Sequence, residues 1–196
     1  MRIVVNGHPA LRKVSEPVAA LDAEAKKLAE DLLDSLKNSE TPGCGLAAPQ
    51  IGINKRMIVV DTALSNGRSR PGALPGEIMM EQMMPLVLVN PEIIDSSAQC
   101  DTTGEGCLSL PEVHGDVTRP STVVVHATLI DGQEITAECG GLLARCLQHE
   151  IDHLNGILFY DRIPAKQQKA AAEQMRNLAK REIALENIAN RMNHGK

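Results

Sequence analysis

Gly141-Leu142-Leu143-Ala144-Arg145-Cys146-Leu147-Gln148-His149-Glu150-Ile151-Asp152-His153-Leu154 is the stretch on which the reading of this chain turns. It is rich in helix formers and is followed by Asn155-Gly156, a pair that closes helices, so a helix is predicted over 141–154. Residues four apart share a helical face, so His149 and His153 can reach one metal ion while Glu150 addresses a water on it. Taken alone, the same pattern is compatible with two surface or core histidines. A catalytic metal usually takes three protein ligands and leaves one position open. Cys146 lies on the same side of the helix, but seven residues separate it from His153. That is roughly 10 Å of helical rise, too far for convergence on one ion. The third ligand must come from another segment, with the other cysteines, the distant histidines and the carboxylates as candidates.

Working outward, Cys107 is the best placed by context. It sits in Gly104-Glu105-Gly106-Cys107-Leu108-Ser109, where small residues let the backbone approach a ligand closely. An isolated cysteine there would more simply be a packing residue, and the histidine pair is what tips the reading. Gly43-Cys44-Gly45-Leu46-Ala47-Ala48-Pro49-Gln50 is the third constellation. Its glycines permit a tight wall, and the Gln50 amide suits a developing oxyanion, although a plain helix-to-strand connector would look similar.

The remaining chain reads as one domain. Leu21, Ala25, Leu28, Ala29, Leu32 and Leu36 predict an amphipathic helix over 21–38, with Asp22 able to cap it. Met57-Ile58-Val59-Val60, Leu86-Val87-Leu88-Val89, Thr122 to Ile130 and Gln133 to Glu138 read as strands, the last two joined by a turn at Asp131-Gly132. The apolar run Ile3-Val4-Val5 reads as another strand, and 165 to about 192 as a long polar helix. Residues 64–84 are rich in turn formers and end in Met79, Met80, Met83 and Met84; a surface insertion is expected, with the methionines as the inner side of a short helix.

Composition narrows the function classes. The chain has 196 residues, 43% hydrophobic, with one Phe, one Tyr and no Trp. An aliphatic core is therefore expected, and the scarcity of aromatics argues against base-stacking or carbohydrate platforms. The net charge is −5, which leaves no general footprint for wrapping a nucleic acid. Residues 165–196 run against that balance, with seven Lys/Arg and three Glu. No stretch approaches a membrane span or a secretory leader. Five cysteines, an odd number, read as reduced thiols in a cytosol.

Together the three segments resemble the peptide deformylase family, and the resemblance extends from about residue 3 to 164. His8-Pro9-Ala10-Leu11-Arg12, Asn90-Pro91 and Gly141-Leu142-Leu143-Ala144-Arg145 agree with it as flanking text. It implies an α+β fold, with mixed antiparallel sheets packed around a central helix carrying the His-Glu-x-x-His motif, plus a long C-terminal helix. Residues 1–164 would form the catalytic domain, and 165–196 a basic helix packed on it or extending from it. Cys107, His149 and His153 would hold one divalent metal per chain. Fe(2+) is the ion the family implies, and Zn(2+), Ni(2+) or Co(2+) suit the same donors.

In that picture Glu150 is the general base and acid for a metal-bound water that attacks the formyl carbon of N-formylmethionyl peptides and nascent chains, releasing formate. Gln50 and the Leu108 N–H hold the oxyanion. Gly45, Leu46 and Gly106 border the peptide backbone, while Cys44, Leu142 and Cys146 wall the methionine pocket. His114 stands where relatives commonly carry Arg and would meet the substrate downstream of methionine. The basic tail could contact ribosomal RNA. A monomer in a bacterial cytoplasm, with no membrane association, completes the expectation.

Two other classes compete. A zincin-type endopeptidase would need a third His or Glu downstream of the pair, and only His194 follows. A non-catalytic metal-stabilised module would be expected to close its site with four protein ligands and to have lost Glu150 or Gln50.

Overall fold

Met57-Ile58-Val59-Val60 is apolar at every position because this strand is covered on both faces. The computed structural model describes residues 1–62 and 72–194. It contains strands β1 (Gly45–Ala47), β2 (Met57–Val60), β3 (Leu86–Ser96), β4 (Cys100–Cys107), β5 (Leu110–Pro120), β6 (Thr122–Leu129) and β7 (Glu134–Gly140). The described helices are α1 (Ala23–Lys37), α2 (Pro75–Glu81), α3 (Gly141–Leu154) and α4 (Ala165–His194). The strands β1-β2-β3-β6-β7 form one antiparallel sheet in that order, and β4 pairs with β5 as a separate hairpin.

Strand alternation sorts the β2 side chains into two apolar layers. Ile58 and Val60 face α3, packing with Leu88, Val125, Leu143 and Leu147. Met57 and Val59 face α1, packing with Leu28, Leu32 and Leu46. Each fully buried aliphatic side chain of this kind contributes about 1.5–3 kcal/mol. A third apolar group joins Leu110, Val113 and Val117 of β5 to Phe159 and to Met175 and Leu178 of α4. The hairpin is thereby pressed against α4 and the short segment that carries Phe159.

α1 begins where the Asp22 carboxylate accepts the Ala25 N–H at 2.9 Å, so Leu21 lies just outside the helix. α3 stops at Gly156, whose φ of +72° is a conformation that favours glycine, with its N–H on His153 O at 3.1 Å. α4 buries Ala171, Met175 and Leu178, one side of an otherwise polar helix. Its middle is tied to the N-terminal segment: Arg2 grips Glu182 through two bonds of 2.8 and 2.6 Å, and Asn6 Nδ2 donates to Met175 O at 2.9 Å.

Three expectations change. Ile3-Val4-Val5 is not a strand; it joins two loops instead, Val4 N–H donating to Gln50 O (2.8 Å) and Asn6 N–H to Ser109 O (3.0 Å). The 64–84 stretch is not simply a surface insertion: residues 64–71 lie outside the described residues, but α2 packs on β7 with Glu77 and Met80 buried. The four methionines divide, since Met80 is fully buried, Met84 Sδ accepts the Thr62 N–H at 3.0 Å, and Met79 and Met83 are each 40% exposed. The β4–β5 hairpin was absent from the sequence reading. No helix among the described residues is long and apolar enough to cross a membrane.

Candidate active site

Helical and strand periodicities bring the chemistry together. On α3, Leu142, Cys146, His149 and Glu150 face a cavity of about 570 Å³, while Glu105 and Cys107, two apart on β4, face it from the hairpin. β1 closes the floor. A Cβ on Gly45 would lie 2.8 Å from both Cys146 Sγ and Glu150 Oε1, so any other residue would fill the cleft. Cys107 Sγ is 3.3 Å from His153 Nε2, and the ligand atoms of Cys107, His149 and His153 all lie within 4.8 Å of one another.

Each group is held in orientation. Gln50 Oε1 accepts the Ala47 N–H at 2.8 Å, which turns Nε2 toward Ser109 Oγ (3.2 Å) and Cys107 Sγ (3.4 Å). His149 Nδ1 lies 2.9 Å from Glu105 Oε2, so its other nitrogen is the one left for a ligand. Glu105 also receives Arg119 (2.7 and 2.9 Å) and Arg145 (2.7 Å), and Arg119 continues to Asp152 at 2.8 Å.

Burial pushes the Glu150 carboxyl up to about 7, opposed by the charges of His149 and Arg119. Glu105 is also desolvated, yet its hydrogen bonds from Arg119 and His149 hold it well below the ordinary carboxylate range. Burial drives the Cys146 thiol well up, and the Glu150 charge adds to this, so Cys146 is a protonated wall rather than a thiolate. Burial likewise lowers His153 well below an ordinary imidazole. Two buried atoms have no hydrogen-bond partner among the described residues of this centre, Glu150 Oε2 and His153 Nδ1.

The residues singled out from sequence converge with one exception. Cys44, Gly45, Gln50, Gly106, Cys107, Leu108, His114, Leu142, Cys146, His149 and Glu150 line the cavity, and His153 reaches it through Cys107. Leu46 does not: alternation along β1 turns its fully buried side chain into the layer facing α1. His114 is exposed at the rim opposite Gly106 in the hairpin register. The sequence reading passed over Glu105 as a partner of His149, although its two-residue spacing from Cys107 on a strand places both on one side. Arg119 and Asp152 carried no local signal, because their pairing exists only after β5 packs on α3.

A strand-borne cysteine facing a helix-borne histidine pair, with a buried glutamate between the histidines, defines an α+β protein built to gather cation-seeking groups at one point. The chain belongs to the polypeptide deformylase family, an enzyme family whose model matches residues 1–169. It is 41% identical over 161 residues to the peptide deformylase of Rhizobium meliloti (strain 1021), covering 82% of this chain and 83% of that one. It is 43% identical over 169 residues to peptide deformylase 2 of Gloeobacter violaceus, covering 86% and 81%. Among solved structures it resembles the Plasmodium falciparum peptide deformylase, at 32% identity and a TM-score of 0.79 over 93% of this chain and 98% of that one. The Synechococcus elongatus peptide deformylase in complex with actinonin is similar at 36% identity, with a TM-score of 0.73 over 88% and 86%.

Proposed function

We propose that this chain hydrolyses the N-formyl group of formyl-methionyl polypeptides, R–NH–CHO + H2O giving the free amine and formate. The observation that carries the reading is the convergence of Cys107, His149 and His153 beside Glu150 and Gln50 within a family of deformylases. A thiolate and two imidazoles fit a divalent ion by donor chemistry, with Fe(2+) the ion family resemblance implies and Zn(2+), Ni(2+) or Co(2+) able to replace it. Cys107, His149 and His153 would hold it, with Glu105 orienting His149. Such an ion, when bound, supplies Lewis acidity that makes water a stronger nucleophile and polarises a carbonyl.

The protein's own groups do the rest. Glu150, buried between the two histidines in sequence, takes the proton of the attacking water and delivers it to the departing amine. Gln50 Nε2, aimed by the Ala47 N–H, and the Leu108 N–H hold the oxygen as it gains negative charge. The Gly45 backbone aligns the peptide, and Leu142, Cys146 and Cys44 border the methionine side chain. His114 and Gly106 stand at the rim where the rest of the peptide leaves. Lys166, Lys169, Arg176, Lys180, Arg181 and Arg191 are exposed on α4 and would meet ribosomal phosphates, placing the enzyme beside nascent chains in the cytoplasm.

The decisive experiment is formate release from a formyl-Met tripeptide by anaerobically purified protein, with metal content read on the same sample. Rapid release with about one equivalent of metal is expected. A full metal site without release overturns the reading. Cleavage of casein instead would point to an endopeptidase.

A further inference from the structure

The opposite face of α3 lines a second cavity, of about 540 Å³, through Gln148, Ile151 and Asp152, with Asn155 just past the helix end. Three guanidinium groups line it, those of Arg56, Arg119 and Arg162, together with the carboxylates of Glu92 and Asp152. Asp152 is spent on Arg119 (2.8 Å) and on Arg162, whose Nε donates to it at 2.6 Å. The other donors of Arg119 are on Glu105. Arg56 differs from both. It donates to Asn155 Oδ1 (2.9 Å) and Pro91 O (3.1 Å), and pairs with no carboxylate among the described residues. A half-buried guanidinium in a recess, without a counter-ion, is a site for an anion.

Two further features define the ligand. Gln148, only 7% exposed, donates its amide to Pro120 O (3.1 Å) and Ala144 O (3.0 Å), which leaves its carbonyl oxygen as an unused acceptor in a side chain lining the cavity. Ile93, Pro120, Val123 and Ile151 supply an aliphatic wall. One guanidinium without a carboxylate partner among the described residues suits a single carboxylate better than a doubly charged phosphate. The free acceptor asks for an N–H donor. We propose that this cavity binds a small N-acylated aliphatic amino acid, its carboxylate on Arg56, its amide N–H toward Gln148 and its side chain on the aliphatic wall.

The proposal does not depend on the reaction assigned to the other cavity, because the site is tested by binding alone. Metal-loaded protein is titrated calorimetrically with N-acetyl-leucine and, as the uncharged control, N-acetyl-leucinamide. Binding of the acid and at least about tenfold weaker binding of the amide are expected. Arg56→Gln should weaken the acid by about tenfold or more, with thermal unfolding checking that the variant is folded. Glu92→Gln removes an exposed, unpaired like charge and should tighten the acid about two- to fivefold. Absence of binding by the acid, equal binding of acid and amide, unchanged affinity in folded Arg56→Gln, or an unchanged or weaker affinity in Glu92→Gln overturns the proposal. If Arg56→Gln does not fold, the acid–amide contrast and Glu92→Gln decide.

Discussion

One helix separates two cavities of nearly equal size, about 570 and 540 Å³, and their polar groups want opposite things. Toward β1 and the hairpin, α3 presents electron-pair donors: the imidazoles of His149 and His153 beside the Cys107 thiol of β4, and a Glu150 oxygen without a partner among the described residues. Those groups ask for a cation. Toward β3 and β6 the same helix meets a guanidinium that has no acid partner among the described residues, and that face asks for an anion. Cavity size therefore says little about what a cavity takes. The sign of the charge left unpaired says much more. Arg119 lies between the two, with one arm on Asp152 and the other on Glu105, which orients His149.

The contrast can be broken from the catalytic side first. Glu150→Ala should keep fold and metal but lose about 10²–10⁴-fold in turnover of a formyl-Met tripeptide. Full activity in that variant would remove the carboxylate from the mechanism. Cys107→Ser should lower bound metal sharply, measured by elemental analysis after dialysis against a chelator, because serine is a far poorer ligand than a thiolate. Unchanged metal content would take Cys107 out of the ligand set. Glu105→Gln keeps the shape but loses the charge on which His149, Arg119 and Arg145 converge. Metal affinity there should drop about 10- to 100-fold. A competition titration with a chromogenic chelator reads that effect directly.

The smallest expected effect sharpens the comparison from the other face. Arg162 is 42% exposed in its side chain and shares Asp152 with the buried Arg119. Arg162→Gln should therefore change tripeptide turnover by less than about threefold, since Arg119 still compensates Asp152. A loss as large as that of Glu105→Gln would mean that the two faces are not separable and that the charge chain through Arg119 acts as one unit.

Much of this was legible locally. The α3 limits, the spacing of His149 and His153, the Asp22 cap and β2 follow from patterns within a few residues of one another. The β4–β5 hairpin was not, because exposed Thr, Asp and Gly dominate β4 and leave no apolar alternation to read. Leu46 was misplaced for a related reason. A three-residue strand buried on both faces carries no signal of which face each side chain takes. Glu105 was readable in principle from its strand spacing to Cys107, whereas Arg119 was not.

The sequence by itself determined which groups could do chemistry: two imidazoles one helical turn apart, a glutamate between them, and the need for a third ligand from elsewhere. It also determined, through resemblance, the family to which those groups belong. Only the tertiary structure decided that Cys107 comes to lie 3.3 Å from His153, that Glu105 is shared by His149 and two arginines, and that Arg56 has no acid partner among the described residues. The physical reason is range. Helical spacing and caps are set by bonds within about one turn, while polar contacts across 14 to 46 residues exist only once hairpin, helix and sheet have packed and excluded water.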